Sequence, residues 1–174
     1  MVEIYTDGAC SSSDKTGGWA AIFKDTIFNT MPVVPYFHLA YYPDPTRNLT
    51  AFYGCAENAT NNLMELSAMC CAMYVAANYI EEPVTIYTDS AYIANCFKDK
   101  WYLRWEQNGW RTSKKTPVEH QDLWQSILSA YRIAEKRIVV QHIKAHSTNI
   151  YNNYADNYAV AARMQLREHL ATQE

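Results

Sequence analysis

The stretch Ile4-Tyr5-Thr6-Asp7 recurs later in the chain as Ile86-Tyr87-Thr88-Asp89. Each copy is rich in β-branched and aromatic residues and predicts a strand that ends in an aspartate. If the two strands are parallel neighbours, both aspartates lie at the edge of the sheet where α/β proteins place their sites. Two carboxylates held close must share a proton or a cation, and oxygen-only ligands suit Mg²⁺ or Mn²⁺. The alternative is that each aspartate only begins an ordinary Asp-Gly or Asp-Ser turn.

The rest of the chain predicts an α/β fold around these two strands. Further strands are expected at residues 19–23, near 36–42 or 50–55, and at 138–143, and helices at 63–80, within 91–106, at 119–136 and at 154–170. Three strands followed by alternating helices and strands predict a five-stranded mixed sheet flanked by helices, with three antiparallel strands and then parallel ones.

The composition is that of a globular protein. The chain has 174 residues, of which 49% are hydrophobic and 19% charged, and this predicts a single domain covering 1–174. It contains no apolar run long enough for a membrane span, and its start lacks the pattern of a signal peptide. Five cysteines without a Cys-x-x-Cys pair predict free thiols in a reducing compartment. We therefore expect a cytoplasmic monomer that does not bind membranes.

The charge is unevenly distributed along the chain. The formal net charge is −3, which by itself argues mildly against nucleic-acid binding. Residues 98–115, however, carry six positive and two negative side chains: Lys98, Lys100, Arg104, Arg111, Lys114 and Lys115 against Asp99 and Glu106. Phosphate groups are bound by local basic patches, so the acidic total does not exclude a nucleic-acid partner.

Two more acidic residues and a histidine stand near predicted helix starts. Glu65 borders an apolar stripe, although Asn62-x-x-Glu65 also fits a capping box. Asp156 is expected to begin the last helix, where an acid also stabilises the helix dipole. His146 lies ten residues earlier and, by itself, could be a loop residue without a role. His142 has the spacing to His146 of a helical zinc pair, but the two straddle a predicted strand end, which disfavours zinc.

Taken together, Asp7, Glu65, Asp89 and Asp156 can form a cluster of four carboxylates. Such a cluster could hold two metal ions about 4 Å apart, which activate a water and stabilise the leaving oxygen in phosphodiester hydrolysis. A nearby histidine can transfer protons or help product release.

The residues resemble those of a known family, the type 1 ribonucleases H, and especially those of its bacterial members. The resemblance covers nearly the whole chain and rests on four motifs in order: Ile4-Tyr5-Thr6-Asp7-Gly8-Ala9-Cys10 with Gly17-Gly18, then Thr60-Asn61-Asn62-Leu63-Met64-Glu65-Leu66, then Tyr87-Thr88-Asp89-Ser90-Ala91-Tyr92, and finally Lys144-Ala145-His146 with Asp156. A basic, tryptophan-rich segment at about 98–117, hereafter the handle, is similar to the protruding handle of bacterial members.

The resemblance implies an RNase H-like fold and an endonuclease that hydrolyses the RNA strand of RNA–DNA hybrids with two metal ions. The four carboxylates would be catalytic and would hold two Mg²⁺ ions, or Mn²⁺ in their place, with His146 assisting proton transfer or product release. The expected substrate contacts are Gly8, Thr60, Asn61 and Asn62 near the cluster, and Trp101, Trp105, Trp110 and Lys115 in the handle. The family recognises the 2′-hydroxyl groups of RNA, and basic handle residues would contact DNA phosphates.

The chain also departs from the family pattern. Several positions lack a donor or a positive charge that relatives often carry: Ser13, Leu63, Ala91, Glu106-Gln107-Asn108 and His120. We therefore predict retained chemistry with weaker, salt-sensitive binding of the hybrid. Residues at about 29–59 form a longer, aromatic- and proline-rich insertion, which is either a hairpin that packs its own aromatic rings or a surface for substrate or a partner.

Two competing functions remain at the level of the sequence. A junction resolvase or integrase-like enzyme would share the carboxylate cluster but would not need the Thr60–Glu65 motif or the handle. A non-catalytic hybrid-binding module would not need the carboxylates, all four of which are present.

Overall fold

A computed structural model describes residues 1–35 and 38–173 of the chain. One sheet of six strands, in the order β3-β4-β2-β1-β5-β6, forms the centre of the molecule. Its strands are β1 (Val2–Cys10), β2 (Gly17–Lys24), β3 (Ala40–Asp44), β4 (Leu49–Ala56), β5 (Val84–Thr88) and β6 (Ile138–His142). The helices are α1 (Asn61–Tyr79), α2 (Ala91–Lys98), α3 (Trp101–Gln107), α4 (Gln121–Ile133) and α5 (Ile150–Ala171).

The two repeated stretches are parallel neighbours, as predicted. β1 pairs with β5 so that Tyr5 lies opposite Tyr87 and Thr6 opposite Thr88. β5 pairs in turn with β6, again in parallel, whereas β1 pairs antiparallel with β2. The aspartates that follow Thr6 and Thr88 are therefore delivered to the same edge of the sheet.

The predicted number of strands is wrong, because the described residues form six strands rather than five. The additional strand is β3, which lies at the edge of the sheet and pairs antiparallel with β4. Both ranges proposed for a third strand thus contain strand residues, and the insertion contains a hairpin, as in the first of its two alternatives. The ring of Tyr41 packs on Phe52 within this hairpin, with ring centroids 5.8 Å apart. Tyr36 and Phe37, at the start of the first proposed range, lie outside the described residues.

The sheet separates two hydrophobic clusters, because side chains alternate between the two faces of a strand. Ile4, Phe23 and Ile86 pack in the larger cluster with the buried helix α1. Tyr5, Ile22 and Ala155 pack in the smaller cluster, on the side of α5. Among the described residues, no helix has the length and apolar character needed to cross a membrane. All five cysteines are free thiols, as predicted.

α1 begins two residues earlier than expected, and its start excludes the capping box. Thr60 is the N-cap, and its hydroxyl oxygen accepts a hydrogen bond from Leu63 N at 3.1 Å. Asn62 therefore lies inside the helix. Glu65 does not bond back to a cap residue, so its side chain is available for the edge of the sheet.

α5 also begins earlier than expected. It starts at Ile150 rather than near 154, and Asn149 caps it through hydrogen bonds from Tyr151 N and Asn152 N. Asp156 consequently lies well inside the helix, and the prediction that it begins the helix is wrong. Because the dipole effect is confined to the first turn, the alternative of a purely dipole-stabilising acid no longer accounts for Asp156.

Candidate active site

Three carboxylates from different elements meet at the edge of the sheet. Asp7 lies near the end of β1, Glu65 in the second turn of α1, and Asp89 directly after β5. One oxygen from each of the three can be chosen such that all lie within 4.8 Å of one another. The backbone N–H of Gly8 links two of them, because it lies 2.9 Å from Asp7 Oδ1 and 3.2 Å from Glu65 Oε1. The pairing of β1 with β5 and the packing of α1 on β1 thus create the cluster.

The cluster is strained electrostatically when no cation is bound. Asp7 and Glu65 are 6% and 8% exposed. Burial raises the pKa of Asp7 to about 8, and the nearby Asp89 carboxylate contributes further to this rise. Burial also raises the pKa of Glu65 well above its ordinary value, and the charges of Asp89 and Asp7 add to the effect. Without a cation, both side chains are therefore harder to ionise than an ordinary carboxyl group.

The donor set fits a divalent cation. Glu65 Oε2 is buried and has no hydrogen-bond partner within residues 1–35 and 38–173. An unpaired buried carboxylate oxygen is costly unless a cation or a donor reaches it. Carboxylate oxygens are the ligands that hard cations such as Mg²⁺ and Mn²⁺ prefer.

Asp156 and His146 line the same cleft as the three carboxylates. The cleft has a volume of about 390 Å³. Asp156 is far enough from the others not to belong to the close group of three, but its charge still contributes to the raised pKa of Asp7. His146 is exposed on the loop before α5 and has a left-handed backbone with φ of 54°.

The start of α1 forms one wall of the cleft. Asn61 and Asn62 are exposed and line it, together with Gly8. Thr60 caps the helix just outside the lining residues. The packing requires glycine at position 8, because a Cβ there would lie 2.7 Å from Glu65 N and 2.8 Å from Met64 Cβ. A larger residue would push α1 away from β1 and separate Asp7 from Glu65.

Comparison with known proteins identifies the family. The family described as RNase H matches residues 1–164. The chain belongs to the RNase H family. It is similar to a ribonuclease H of Moorella thermoacetica, with 38% identity over 168 residues that cover 95% of this chain and 93% of that protein. A ribonuclease H of Caldanaerobacter subterraneus is 35% identical over 172 residues, covering 98% and 94% of the two chains.

A solved structure supports the fold independently. The chain is similar to LC9-RNase H1, a type 1 RNase H, with a TM-score of 0.69 and 21% identity over 94% of this chain and 72% of that one. The observed mixed sheet, flanked by helices, is thus the RNase H fold. As a member of this family, the protein is an enzyme of the ribonuclease H class, and the family generally uses divalent metal ions.

The handle of this RNase H contains a second pocket, of about 320 Å³. Its lining combines aromatic rings with cations: Tyr92, Trp101, Arg104, Trp105, Arg111, Thr112 and Ser113. Trp101 and Trp105, two of the predicted substrate contacts, thus line one pocket, although Trp105 is only 6% exposed. Trp110 packs on Trp105 outside the lining, with ring centroids 5.8 Å apart. Lys115 also lies outside it, and its carbonyl accepts a hydrogen bond from Arg111.

Several residues of the two pockets were not expected from the sequence. In the cleft these are Ser90, Ala145, Asn152 and Asn153. Asn152 stands four residues before Asp156, the spacing that places two side chains on one helix face. This signal became readable only once α5 was known to begin at Ile150. In the handle, Tyr92 was missed as a pocket residue because it belongs to α2 rather than to the basic segment.

Proposed function

We propose that this RNase H hydrolyses the RNA strand of RNA–DNA hybrids with two divalent cations, Mg²⁺ or Mn²⁺. The observation that carries the proposal is the convergence of Asp7, Glu65 and Asp89 to within 4.8 Å, in a cleft that Asp156 also lines. Family membership supports the substrate class. A foamy viral protease-reverse transcriptase solved in complex with an RNA/DNA hybrid also has this fold, with a TM-score of 0.70 and 23% identity over 93% of this chain and 20% of that one.

The four carboxylates would hold the cations, which would supply an activated water and stabilise the charge on the leaving oxygen. The residues prepare the cluster for this task through their burial. Burial raises the pKa of Asp7 to about 8 and raises the pKa of Glu65 in the same direction, so both carboxyl groups bind protons more readily than usual in the absence of a cation. Any proton held there would have to leave when a cation binds, since metal ligands must be deprotonated.

His146 would transfer a proton at the cleft that it lines. Its imidazole is exposed, and it belongs to the loop between β6 and α5 rather than to a regular element. An imidazole ring can both accept and donate a proton, so it would serve as a proton-transfer group when the product leaves. Replacing His146 should lower kcat less than replacing a carboxylate, because His146 would not hold the cations.

The start of α1 would contact the two strands of the hybrid. The Thr60 oxygen accepts a hydrogen bond from Leu63 N, so its own O–H hydrogen remains available to a DNA phosphate. Asn61 and Asn62 offer donors and acceptors from the exposed wall of the cleft. Gly8 would allow the RNA strand to approach the backbone closely. Its N–H donates to both Asp7 and Glu65.

The handle pocket would bind the DNA strand. Ser90 lines the cleft and Tyr92 lines the handle pocket, so the two sites adjoin at the start of α2. Trp101 offers a partly exposed ring for stacking or sugar contact, while Arg104 and Arg111 offer cations for phosphates. Trp105, Trp110 and Lys115 remain predicted contacts, with Trp105 and Trp110 also supporting the pocket by ring packing.

The test is cleavage of three labelled substrates by the purified chain with Mg²⁺: an RNA–DNA hybrid, a DNA duplex and a four-way DNA junction. We expect cleavage of the RNA strand of the hybrid alone, and its loss in Asp89→Asn and in excess EDTA. Cleavage of the junction or of duplex DNA would instead favour a resolvase or integrase-like enzyme. Tight binding of the hybrid without cleavage would favour a non-catalytic module.

A further inference from the structure

Asn152 is a buried polar residue whose side chain is not fully satisfied. It is 3% exposed and lines the cleft that holds the carboxylates. Its Oδ1 atom is buried and has no hydrogen-bond partner in the part of the chain that the structure describes. An unsatisfied buried carbonyl destabilises the folded protein, so this group indicates a hydrogen-bond donor from outside the protein.

The surroundings hold the Asn152 backbone firmly in place. Asn149 Oδ1 accepts a hydrogen bond from Asn152 N at 3.2 Å, and Asn149 Nδ2 donates to the Tyr5 hydroxyl at the same distance. Tyr5 lies in β1, two residues before Asp7. The start of α5 is thereby tied to the strand that carries a carboxylate of the cluster. Asn152 and Asp156, one helical turn apart, share a face of α5.

The chemistry of the cleft indicates what the missing partner is. Acceptors dominate its lining, which among the described residues contains four carboxylates and no lysine or arginine. A hydrated divalent cation brings polarised water molecules, which are strong hydrogen-bond donors, into such a site. The terminal torsion of asparagine is broad and roughly two-fold, so the carboxamide can turn its carbonyl toward the cleft when a donor is present.

We propose that Asn152 is a positioning residue of the metal site, whose side-chain carbonyl accepts a hydrogen bond from a water bound to the cation beside Asp156. The inference rests on the proposed use of divalent cations and adds a residue that holds a cation through its water. Groups that orient metal ligands in this way typically change metal affinity or activity about 10–100-fold when removed.

A purely structural role makes a different prediction. If Asn152 only supported the start of α5, its loss would lower the melting temperature equally with and without Mg²⁺. If it serves the cation, replacing it with an apolar residue removes an unsatisfied group from the metal-free protein. The metal-free form should then be at least as stable as the wild type, while the stabilisation by Mg²⁺ shrinks.

The experiment compares the wild type with Asn152→Leu, which has the same branching and number of side-chain heavy atoms but no acceptor, and Asn152→Asp, which keeps an acceptor. Asn157→Leu is the matched control, because Asn157 is exposed on the same helix and does not line the cleft. Mg²⁺ binding to the full chain is measured by calorimetry, and melting temperatures are measured in EDTA and in saturating Mg²⁺.

We expect Asn152→Leu to raise the Mg²⁺ dissociation constant about tenfold without lowering the melting temperature in EDTA. Asn152→Asp should bind Mg²⁺ at least as tightly as the wild type, and the control should be unchanged. Wild-type affinity in Asn152→Leu would overturn the inference, as would an equal loss of melting temperature in both conditions. If Asn152→Leu does not fold, weakened binding by Asn152→Asp would overturn it. A wild type that does not bind Mg²⁺ would instead overturn the proposed function as well.

Discussion

The carboxylate cleft and the handle pocket adjoin, but they are built in opposite ways. The cleft collects acidic side chains from β1, α1, α5 and the end of β5, which are far apart in the sequence. Apart from Tyr92, the handle pocket is made by residues 101–113. The cleft depends on long-range geometry and on burial that shifts pKa values, whereas the handle uses exposed cations around packed rings. A change in the cleft should therefore affect the chemical step, and a change in the handle should affect binding.

The largest expected effect comes from the cleft. Asp89→Asn removes one ligand of the cluster, so we expect kcat on the hybrid to fall by at least about 100-fold, since even outer groups of metal sites reach that magnitude. Asp99→Asn is the matched control, because Asp99 is exposed in the handle segment and does not line the cleft. Steady-state cleavage kinetics measure both variants. Similar activity of Asp89→Asn and Asp99→Asn would contradict the assignment of the cleft.

The handle should produce a smaller effect on a different parameter. Replacing both Arg104 and Arg111 by alanine should raise KM for the hybrid about tenfold at about 0.15 M salt and leave kcat nearly unchanged, because uniform binding is lost. Lys136→Ala is a control for loss of an exposed cation outside both pockets. A drop in kcat with an unaltered KM would break the division between binding and chemistry.

The handle should also determine the response to salt. The wild type lacks hydrogen-bond donors at Leu63 and Ala91. Its handle also carries the negatively charged Glu106, whose Oε1 forms an ion pair with Arg132 Nη2 at 2.5 Å. We expect hybrid binding by the wild type to be weak at about 0.15 M salt. Removing Arg104 and Arg111 should reduce the slope of log Kd against log salt by about one for each phosphate that the protein no longer neutralises. Fluorescence anisotropy with an uncleavable hybrid measures this slope. An unchanged slope would show that the two arginines do not contact phosphates of the hybrid.

The smallest expected effect is on stability and follows from the raised pKa values. Asp7 has a pKa of about 8 in the folded chain, above its ordinary value of 3.8. The folded metal-free chain therefore binds protons more tightly than the unfolded chain. The contribution of Asp7 to the free energy of unfolding is therefore largest at acidic pH and is lost as the pH rises from about 4 to about 8. Glu65 changes stability in the same direction.

Metal binding should reverse this loss. Mg²⁺ at about 100 times its dissociation constant should raise the free energy of unfolding by about 2.7 kcal/mol. For a chain of this size, that corresponds to a melting temperature about 5–10 °C higher. The rise should be larger at pH 8 than at pH 5, because protons compete with the cation at low pH. Thermal melts at both pH values measure it. A melting temperature that Mg²⁺ does not alter at pH 8 would contradict a metal site at these carboxylates.

The same contrast explains how much the sequence could predict. Asp7 and Asp89 were predicted from the repeated Ile-Tyr-Thr-Asp stretch, whose two copies the structure shows to be parallel neighbours. Glu65 was predicted from its place beside an apolar stripe and Asp156 from its place near the start of the last helix, and the resemblance to the type 1 ribonucleases H joined the four into one set. The edge strand β3 was missed as a separate strand because its pairing with β4 depends on tertiary context. The start of α5 was misplaced because Ile150, Tyr151 and two asparagines have weak helix propensity.

The burial of individual residues was least predictable. The three handle tryptophans look alike in sequence, but Trp105 is buried while Trp101 and Trp110 are partly exposed. Apart from its helical spacing to Asp156, Asn152 carries no sequence signal, because its importance depends on a buried oxygen whose lack of a partner is visible only in the structure. Such details arise from packing between distant segments, which periodicity does not encode.

The most direct test of the account is a crystal of the chain soaked in Mn²⁺ and measured for anomalous scattering. We predict two peaks in the cleft about 4 Å apart, each within bonding distance of at least one of Asp7, Glu65, Asp89 and Asp156. Absence of both peaks at a concentration that supports cleavage, or peaks bound only elsewhere on the surface, would contradict it.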